Sequence, residues 1–413
     1  MRVILNICLV SIVFGLIGVS CGSNDEVTDE KDPIESDSVT APVETLPPNT
    51  DYAAAFSGQT RVSGRVTKTA YKVTKLATGL SNPWGMTNLP DGRIIVTEKG
   101  GTMRIVSASG EVSSAISGLP AVNSSGQGGL LDVAVDPAFE SNRIVYWTFS
   151  QDGSGGTATA VGKGRLSDDE TNIENAEVIY TAIPEFNSSL HYGGRLVWDG
   201  SGNLFVSTGE RSDLESRPEA QELDAALGKV LRITTNGEPA EGNPFAGQEN
   251  KLPEIYSYGH RNVQGLAVHP ATGDLWEAEF GPRGGDEVNL IEPGKDYGWP
   301  TISYGIEYSG SPIGQGITQQ AGMEQPVYYW DPVVSPSGIT FYTGSLISEW
   351  ENNLFLGALS GQHIVRLVIK DNLVVGEERL LASENERFRD VLEGTDGALY
   401  AITDSGLMYK IGL

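Results

Sequence analysis

One pattern recurs six times along the 413 residues: a short apolar segment, a turn built on Asp-Gly or a near equivalent, then an alternating strand. The copies are NPWGMTNLPDGRIIVTE (82–98), GGLLDVAVDPAFESNRIVYWTFS (128–150), GGRLVWDGSGNLFVSTGE (193–210), QGLAVHPATGDLWEAEFG (264–281), PSGITFYTGSLISEWENNLFLGAL (336–359) and FRDVLEGTDGALYAITD (388–404). With Gly85, Gly129, Gly194, Gly265, Gly338 and Asp390 as markers, the steps are 44, 65, 71, 73 and 52 residues. A four-stranded blade takes about 40–45 residues, so the longer middle steps carry inserted loops. Radial repetition of such sheets predicts an all-β, six-bladed β-propeller with four-stranded antiparallel blades. The uneven steps disfavour a solenoid, whose neighbours stack in register. A β-sandwich with chance Asp-Gly turns is the competing fold. The 51 glycines against 21 prolines suit many tight turns between short strands.

The first fifty residues are unlike the rest. Arg2 precedes an apolar run, Val3 to Val19, which ends at Gly18-Val19-Ser20-Cys21. Residues 1–21 therefore read as a lipoprotein-type signal peptide with Cys21 as the acylated residue. An ordinary secretory signal is the alternative, and the run is only marginally long enough for a membrane span. Residues 22–51 hold nine acids against Lys31 alone, four prolines and no aromatic residue. That composition predicts an acidic, disordered tether whose removal leaves the domain of residues 52–413 folded and active. The chain carries a formal charge of −26, which excludes a sequence-independent nucleic-acid binder. Its two cysteines, Cys8 and Cys21, exclude a disulfide framework or cysteine zinc site in the body of the protein.

In a propeller the loops of one face converge on the central channel, so polar residues near the copies' starts are the candidates. His191 precedes the third copy and His260 the fourth, at equivalent places in adjacent blades. Such histidines would share one mouth and accept a proton near neutral pH; histidines bonded to backbone at blade corners fit the pattern equally. His269 reads as plain surface. The segment Glu279-Phe280-Gly281-Pro282-Arg283-Gly284-Gly285-Asp286-Glu287 combines carboxylates with irregular backbone, which suits calcium or a solvated acidic turn. Arg387 and Arg389 flank Phe388; on an extended strand both guanidinium groups point one way, toward a carboxylate ligand or toward neighbouring acids. Gln127 adds an amide near the same mouth. No Gly-x-Gly-x-x-Gly opening a helix, P-loop or His-Glu-x-x-His motif is present.

GQGGLLDVAVDP, HYGGRLVWD, YGHRNVQGLAVHPATGDLWEAEFGPRGGDEVNLIEPGKDYGWP and RFRDVLEGTDG together resemble the glucose/sorbosone dehydrogenase family, quinoproteins of soluble type, and more closely its aldose sugar dehydrogenase branch. The resemblance runs from about Lys75 to Leu413. It implies a six-bladed propeller holding pyrroloquinoline quinone (PQQ) and calcium in its mouth. It implies oxidation of an aldose to its lactone, with His191 as general base and Arg261 beside the reacting quinone oxygen. By the same resemblance Gln127, Asn262, Arg387 and Arg389 contact the cofactor. The carbonyls of Gly281 and Pro282 match ligands of one calcium, and Asp286, Glu287 and Tyr297 match a second, structural calcium group. Electrons would leave to a cytochrome or quinone pool. The protein would be exported and lipid-anchored, in the periplasm or at the outer-membrane face of a Gram-negative-type bacterium.

Three positions depart from the pattern. Ser360 stands where family members commonly carry a cofactor-binding lysine; an unreplaced cation would cost about 1–3 kcal/mol of binding, with His363 or a nearby arginine as the candidate replacement. Glu210 replaces the usual aspartate after Gly209, and Val263 replaces a proline. A non-catalytic propeller that binds carbohydrate or protein is the runner-up, fed by Ser360. A calcium-dependent lactonase is a third reading, since fold alone does not choose.

Overall fold

The computed structural model describes residues 38–413; the predicted signal peptide and acylated Cys21 lie outside the described residues. Six small sheets follow one another around a central channel. Their innermost strands are Pro83–Asn88, Leu130–Val135, Leu196–Trp198, Val263–Val268, Pro336–Phe341 and Phe388–Glu393, so each sequence copy begins a blade. Blades two, three and four each run outward as four antiparallel strands in chain order. Blade one has three strands, and its edge is continued by the isolated bridges Val106↔Val112 and Met103↔Ile116. The sixth blade is completed from the other end of the chain: Lys72–Ala77 pairs antiparallel with Met408–Gly412.

The alternating strands bury both faces, which is why the sheets stand upright side by side. In blade one, Ile95 packs toward blade two with Met103, Leu130 and Trp147, whereas Ile94 and Val96 pack toward blade six with Tyr400 and Met408. Comparable clusters fill the other four junctions, centred on Val161 and Leu231, Val230 and Leu275, Trp276 and Leu356, and Trp350 and Leu399. Near the axis there is no room for side chains on every strand. A Cβ on Gly85 would collide with Asp132, and one on Gly338 with Asp390, each an aspartate of the next blade. The added length of the middle copies lies in loops at 182–195, 208–228 and 292–327, between the strands that flank them.

The expected tether is corrected from Ser38 onward. Ser38–Thr40 pairs with Gly64–Val66, which joins the outer strand of blade five and makes that sheet six-stranded. Between them the chain crosses to blade four. There the buried Asp331 carboxylate accepts from Asn49 N (2.9 Å), Asn49 Nδ2 (2.7 Å), Thr50 N (3.0 Å) and Thr50 Oγ1 (3.0 Å). Glu44 pairs with Arg379 at 2.9 Å, and Arg61 donates to the carbonyls of Glu44, Leu46 and Asp331. Acidic composition predicted self-repulsion, but the Arg379 cation and the Asp331 carboxylate, which accepts the segment's own donors, offset it for this part of the segment.

Candidate active site

A cavity of about 300 Å³ opens at the end of the channel where the inner strands begin, lined among others by Gln127, Gly193, Gln264, Arg387, Arg389 and Asp404. Arg195 closes its floor. The Arg195 guanidinium bridges Asp132 (3.2 Å) and Asp390 (3.1 Å), lies 4.2 Å from the Trp84 ring centre and donates to the carbonyls of Gln264 and Arg389. Beyond it the channel widens again into a space of about 290 Å³ lined by inner-strand residues, whose charged groups are this same paired set.

His191 directly precedes Tyr192 and Gly193, which line the cavity. It is buried, with φ of 46°, a left-handed backbone that costs a residue other than glycine roughly 1 kcal/mol or more. Its neighbours hold it there. His191 N donates to Gln127 Oε1 at 2.8 Å, and the adjoining Gly193 N donates to Asn262 Oδ1 at 3.0 Å. Arg211, absent from the sequence expectations, grips the rest of the loop through the carbonyls of Leu190, Thr157 and Ser188, and stacks on Tyr192 at 3.9 Å. The only sequence signal for it is an arginine placed directly after the strand-ending Glu210.

Glu210 is the other half of the pair. Its Oε1 lies 2.8 Å from His191 Nδ1 and its Oε2 accepts Ser212 N at 2.6 Å. An ionised carboxylate only accepts, so Nδ1 carries the proton and Nε2 keeps its lone pair. Burial lowers the His191 pKa, the Arg261 charge lowers it further, and Glu210 works in the opposite direction. The imidazole is thus neutral and basic at neutral pH.

The structure brings His191 to the mouth but not His260. His260 is fully buried, bonded to Ser257 Oγ at 2.8 Å, facing Glu279 at 3.3 Å and stacked on Tyr297; the backbone there turns it into the blade junction. His269 stays in its turn, where Nδ1 accepts from Ala271 N and Thr272 N. His363 does not replace the missing lysine. It is buried against the Gly361 carbonyl at 2.7 Å, and burial pulls it down to about 4, so it carries no charge.

Arg387 and Arg389 do point to one side, and there they meet the neighbouring acid Asp404. Both line the cavity, and both donate Nε to Asp404, at 2.8 and 2.9 Å. Burial pulls the Arg389 pKa down against the Asp404 charge, and burial of Asp404 is outweighed by Arg389 and Arg387, which hold its carboxyl below the usual range. Arg261 and Asn262 are anchored by backbone N–H bonds to Glu279 Oε2, at 2.6 and 3.2 Å. Their Nε and Nδ2 atoms are buried without a hydrogen-bond partner. Gln127 and the arginine pair, which line the cavity, fit a planar, polyanionic cofactor.

The expected calcium residues fall into two groups. Pro282, Glu287 and Tyr297 surround a space of about 10 Å³ together with Glu279, the size of one water or ion. Arg261 Nη1 donates to the Gly281 carbonyl at 2.6 Å, so a cation already sits at that oxygen. Glu277 and Glu279 are buried and Glu287 half-buried on one face, and burial reinforced by the Glu279 charge raises Glu277 and Glu287 well above the usual carboxylate range. Glu277 Oε2 and Asn289 Oδ1 lack partners. Crowded, unpaired oxygens of this kind fit a hard cation such as calcium. Asp286 is different: its carboxylate accepts Gly281 N, Val334 N and Ser335 N at 2.6–2.8 Å, so it shapes the loop. The Tyr297 hydroxyl is likewise spent, donating to Leu290 O and accepting Glu292 N.

Against known proteins, residues 80–410 match the family described as Glucose / Sorbosone dehydrogenase. Aldose sugar dehydrogenase YliI of Escherichia coli is 41% identical over 337 residues, covering 80% of this chain and 90% of the relative. The apo-form crystal structure of the soluble aldose sugar dehydrogenase from Escherichia coli superposes with a TM-score of 0.79 at 40% identity, over 83% of this chain and 99% of that one. The PQQ-bound aldose sugar dehydrogenase of Streptomyces coelicolor gives 0.69 at 29% identity, over 84% and 99%. With residues 80–410 matched and its propeller shared with these structures, the chain belongs to the glucose/sorbosone dehydrogenase family.

Proposed function

We propose that the protein is a sugar dehydrogenase that oxidises an aldose at the anomeric carbon to the lactone, with PQQ as electron acceptor and calcium as its activator. The observation that carries this is the His191–Glu210 pair, at 2.8 Å, on the loop whose next residues, Tyr192 and Gly193, line the cavity of about 300 Å³ together with the arginine pair. The reaction takes a proton from the anomeric hydroxyl and a hydride from the carbon that bears it. Bound PQQ would supply the two-electron acceptor for that hydride. His191 Nε2 receives the proton, and Glu210 stabilises the imidazolium that forms. Arg261 places positive charge at the mouth where negative charge develops on reduction. Gln127, Asn262, Arg387 and Arg389 would hold the cofactor, while Glu287 and the carbonyls of Pro282 and Tyr297 would hold calcium. The electrons pass on to a cytochrome or quinone pool. The chain is exported and anchored through lipid at Cys21; Cys21→Ser expressed in a diderm host should shift the protein from membrane to soluble fraction, and an unchanged membrane share refutes the anchor.

The test of the activity is a titration of the purified protein with PQQ and calcium, followed by a panel of aldoses while quinone absorbance is recorded. Stoichiometric binding and bleaching by an aldose is the expected result, and His191→Ala should bind PQQ normally while losing turnover about 100-fold or more. Ser360, uncharged at the edge of the site, favours one second reading, a propeller that binds carbohydrate or protein without redox chemistry; it takes first place when PQQ does not bind at all.

A further inference from the structure

We propose that Lys99 supplies the cation that Ser360 lacks, and so serves as a cofactor-binding residue on blade one; the inference rests on the PQQ reading above. Ser360 Oγ is bonded to Ser335 Oγ at 2.8 Å and offers no charge. Among the described residues lining the cavity, the cations are Lys99, Arg387 and Arg389, and the one carboxylate is Asp404. Asp404 faces both arginines, so its charge offsets about half of theirs. A tricarboxylate entering that mouth would meet little net attraction from blade six alone, in a chain whose total charge is −26.

Lys99 changes that balance. It occupies the turn between the second and third strands of blade one, and its backbone is fixed on both sides: its N donates to the Asn82 carbonyl at 3.1 Å, and its carbonyl accepts Leu130 N at 3.1 Å. Its Nζ donates to Gly126 O at 2.6 Å, one residue before Gln127. An ammonium has three donors, and this bond uses one. The remaining two have no partner among the described residues, and Lys99 lines the cavity, whereas each arginine spends its Nε on Asp404. Arginines on blade six and a lysine on the neighbouring blade one would then form a continuous cationic wall for one side of a planar polyanion.

The experiment uses the full chain, PQQ as the probe with calcium in excess, and quenching of tryptophan fluorescence to measure Kd at several salt concentrations. Lys99→Met should raise Kd about tenfold or more, Lys99→Arg should stay within about threefold of the parent, and adding Ser360→Lys to Lys99→Met should recover most of the loss. The salt dependence of Kd should be shallower in Lys99→Met, because a charge contact has gone. A Kd for Lys99→Met within about twofold of the parent overturns the inference. So does a loss of affinity with unchanged salt dependence, which would mean that Lys99 only pins the Gly126–Gln127 loop. Failure of the parent itself to bind PQQ overturns the cofactor reading, and this inference falls with it.

Discussion

Replacing Glu210 by glutamine tests the catalytic pair with almost no change of shape. In the parent, two donors converge on one carboxylate, His191 Nδ1 at 2.8 Å and Ser212 N at 2.6 Å. A glutamine offers one oxygen and one amide group to those two donors. If the oxygen keeps Ser212, the amide faces Nδ1, which must then accept, and the ring proton moves to Nε2, where the base should have its lone pair. If the oxygen keeps His191, the tautomer survives but the charge is gone. With charge centres about 4 Å apart and an effective dielectric near 20, the carboxylate stabilises a full imidazolium by about 4 kcal/mol. A proton half transferred in the transition state feels about 2 kcal/mol of that, or about 30-fold in rate. The expected result is a fall in kcat of at least about 30-fold with the Kd for PQQ unchanged, since Glu210 stands behind His191 and does not line the cavity. The pH profile adds a sign. Glu210 raises the His191 pKa against burial and Arg261, which together leave it below its ordinary 6.5. Removing that carboxylate lowers it further, so the residual activity should persist to lower pH than in the parent. Measured kcat within about threefold of the parent, or an acid limb that moves to higher pH, refutes the assignment of Glu210 and with it the tautomer argument.

Other consequences are open to direct measurement. Arg195→Leu leaves Asp132 and Asp390 buried without their cation and should destabilise the protein by about 3–5 kcal/mol in urea unfolding, whereas Arg195→Leu with both aspartates changed to asparagine should recover part of that; equal stability of the two variants would argue against the channel ion pairs. Truncation to residues 52–413 removes every Asn49 and Thr50 donor from Asp331 and should lower stability by about 1–3 kcal/mol, while truncation to 38–413 should not; identical melting of the two forms would show that the docked segment contributes nothing. Chelation with EGTA should lower the melting temperature, and added calcium should restore it, by an amount near 3 kcal/mol at a hundredfold excess over Kd; a melt indifferent to both leaves Glu279 and Glu287 without a cation to hold.

Repetition is what made the fold legible. Six turns of Asp-Gly or related type at blade-compatible spacing suffice to count blades, because each turn is a local event: at Gly92, with φ of 85°, the bond from its N to Leu89 O closes the hairpin using neighbours alone. His191, Arg387 and Arg389 could be placed at the mouth by the same reasoning, since a residue's position relative to its inner strand fixes which face it joins. Direction and pairing were not legible. Nothing local distinguishes His260 from His191; the difference is that Ser257, Glu279 and Tyr297 enclose one of them from other strands. Asp286 reads as a metal ligand beside Glu287, yet strand alternation sends the two carboxylates to opposite faces, one to backbone amides and one into the acidic cluster. Segment 38–51 defeated composition for a similar reason, because its partners Asp331, Arg61 and Arg379 are supplied by distant parts of the sequence or by later residues.

The strand Lys72–Ala77 that completes the sixth blade carries a cost in time. Its partner begins at Met408, across roughly 330 residues of intervening chain, so the first propeller strand to be synthesised is the last to find its place. During translation that strand has an unpaired edge while five blades assemble behind it, and the ring shuts only when the final hairpin arrives. A chain whose ends are joined and reopened inside another blade would keep the same contacts, yet hand the waiting period to a different strand.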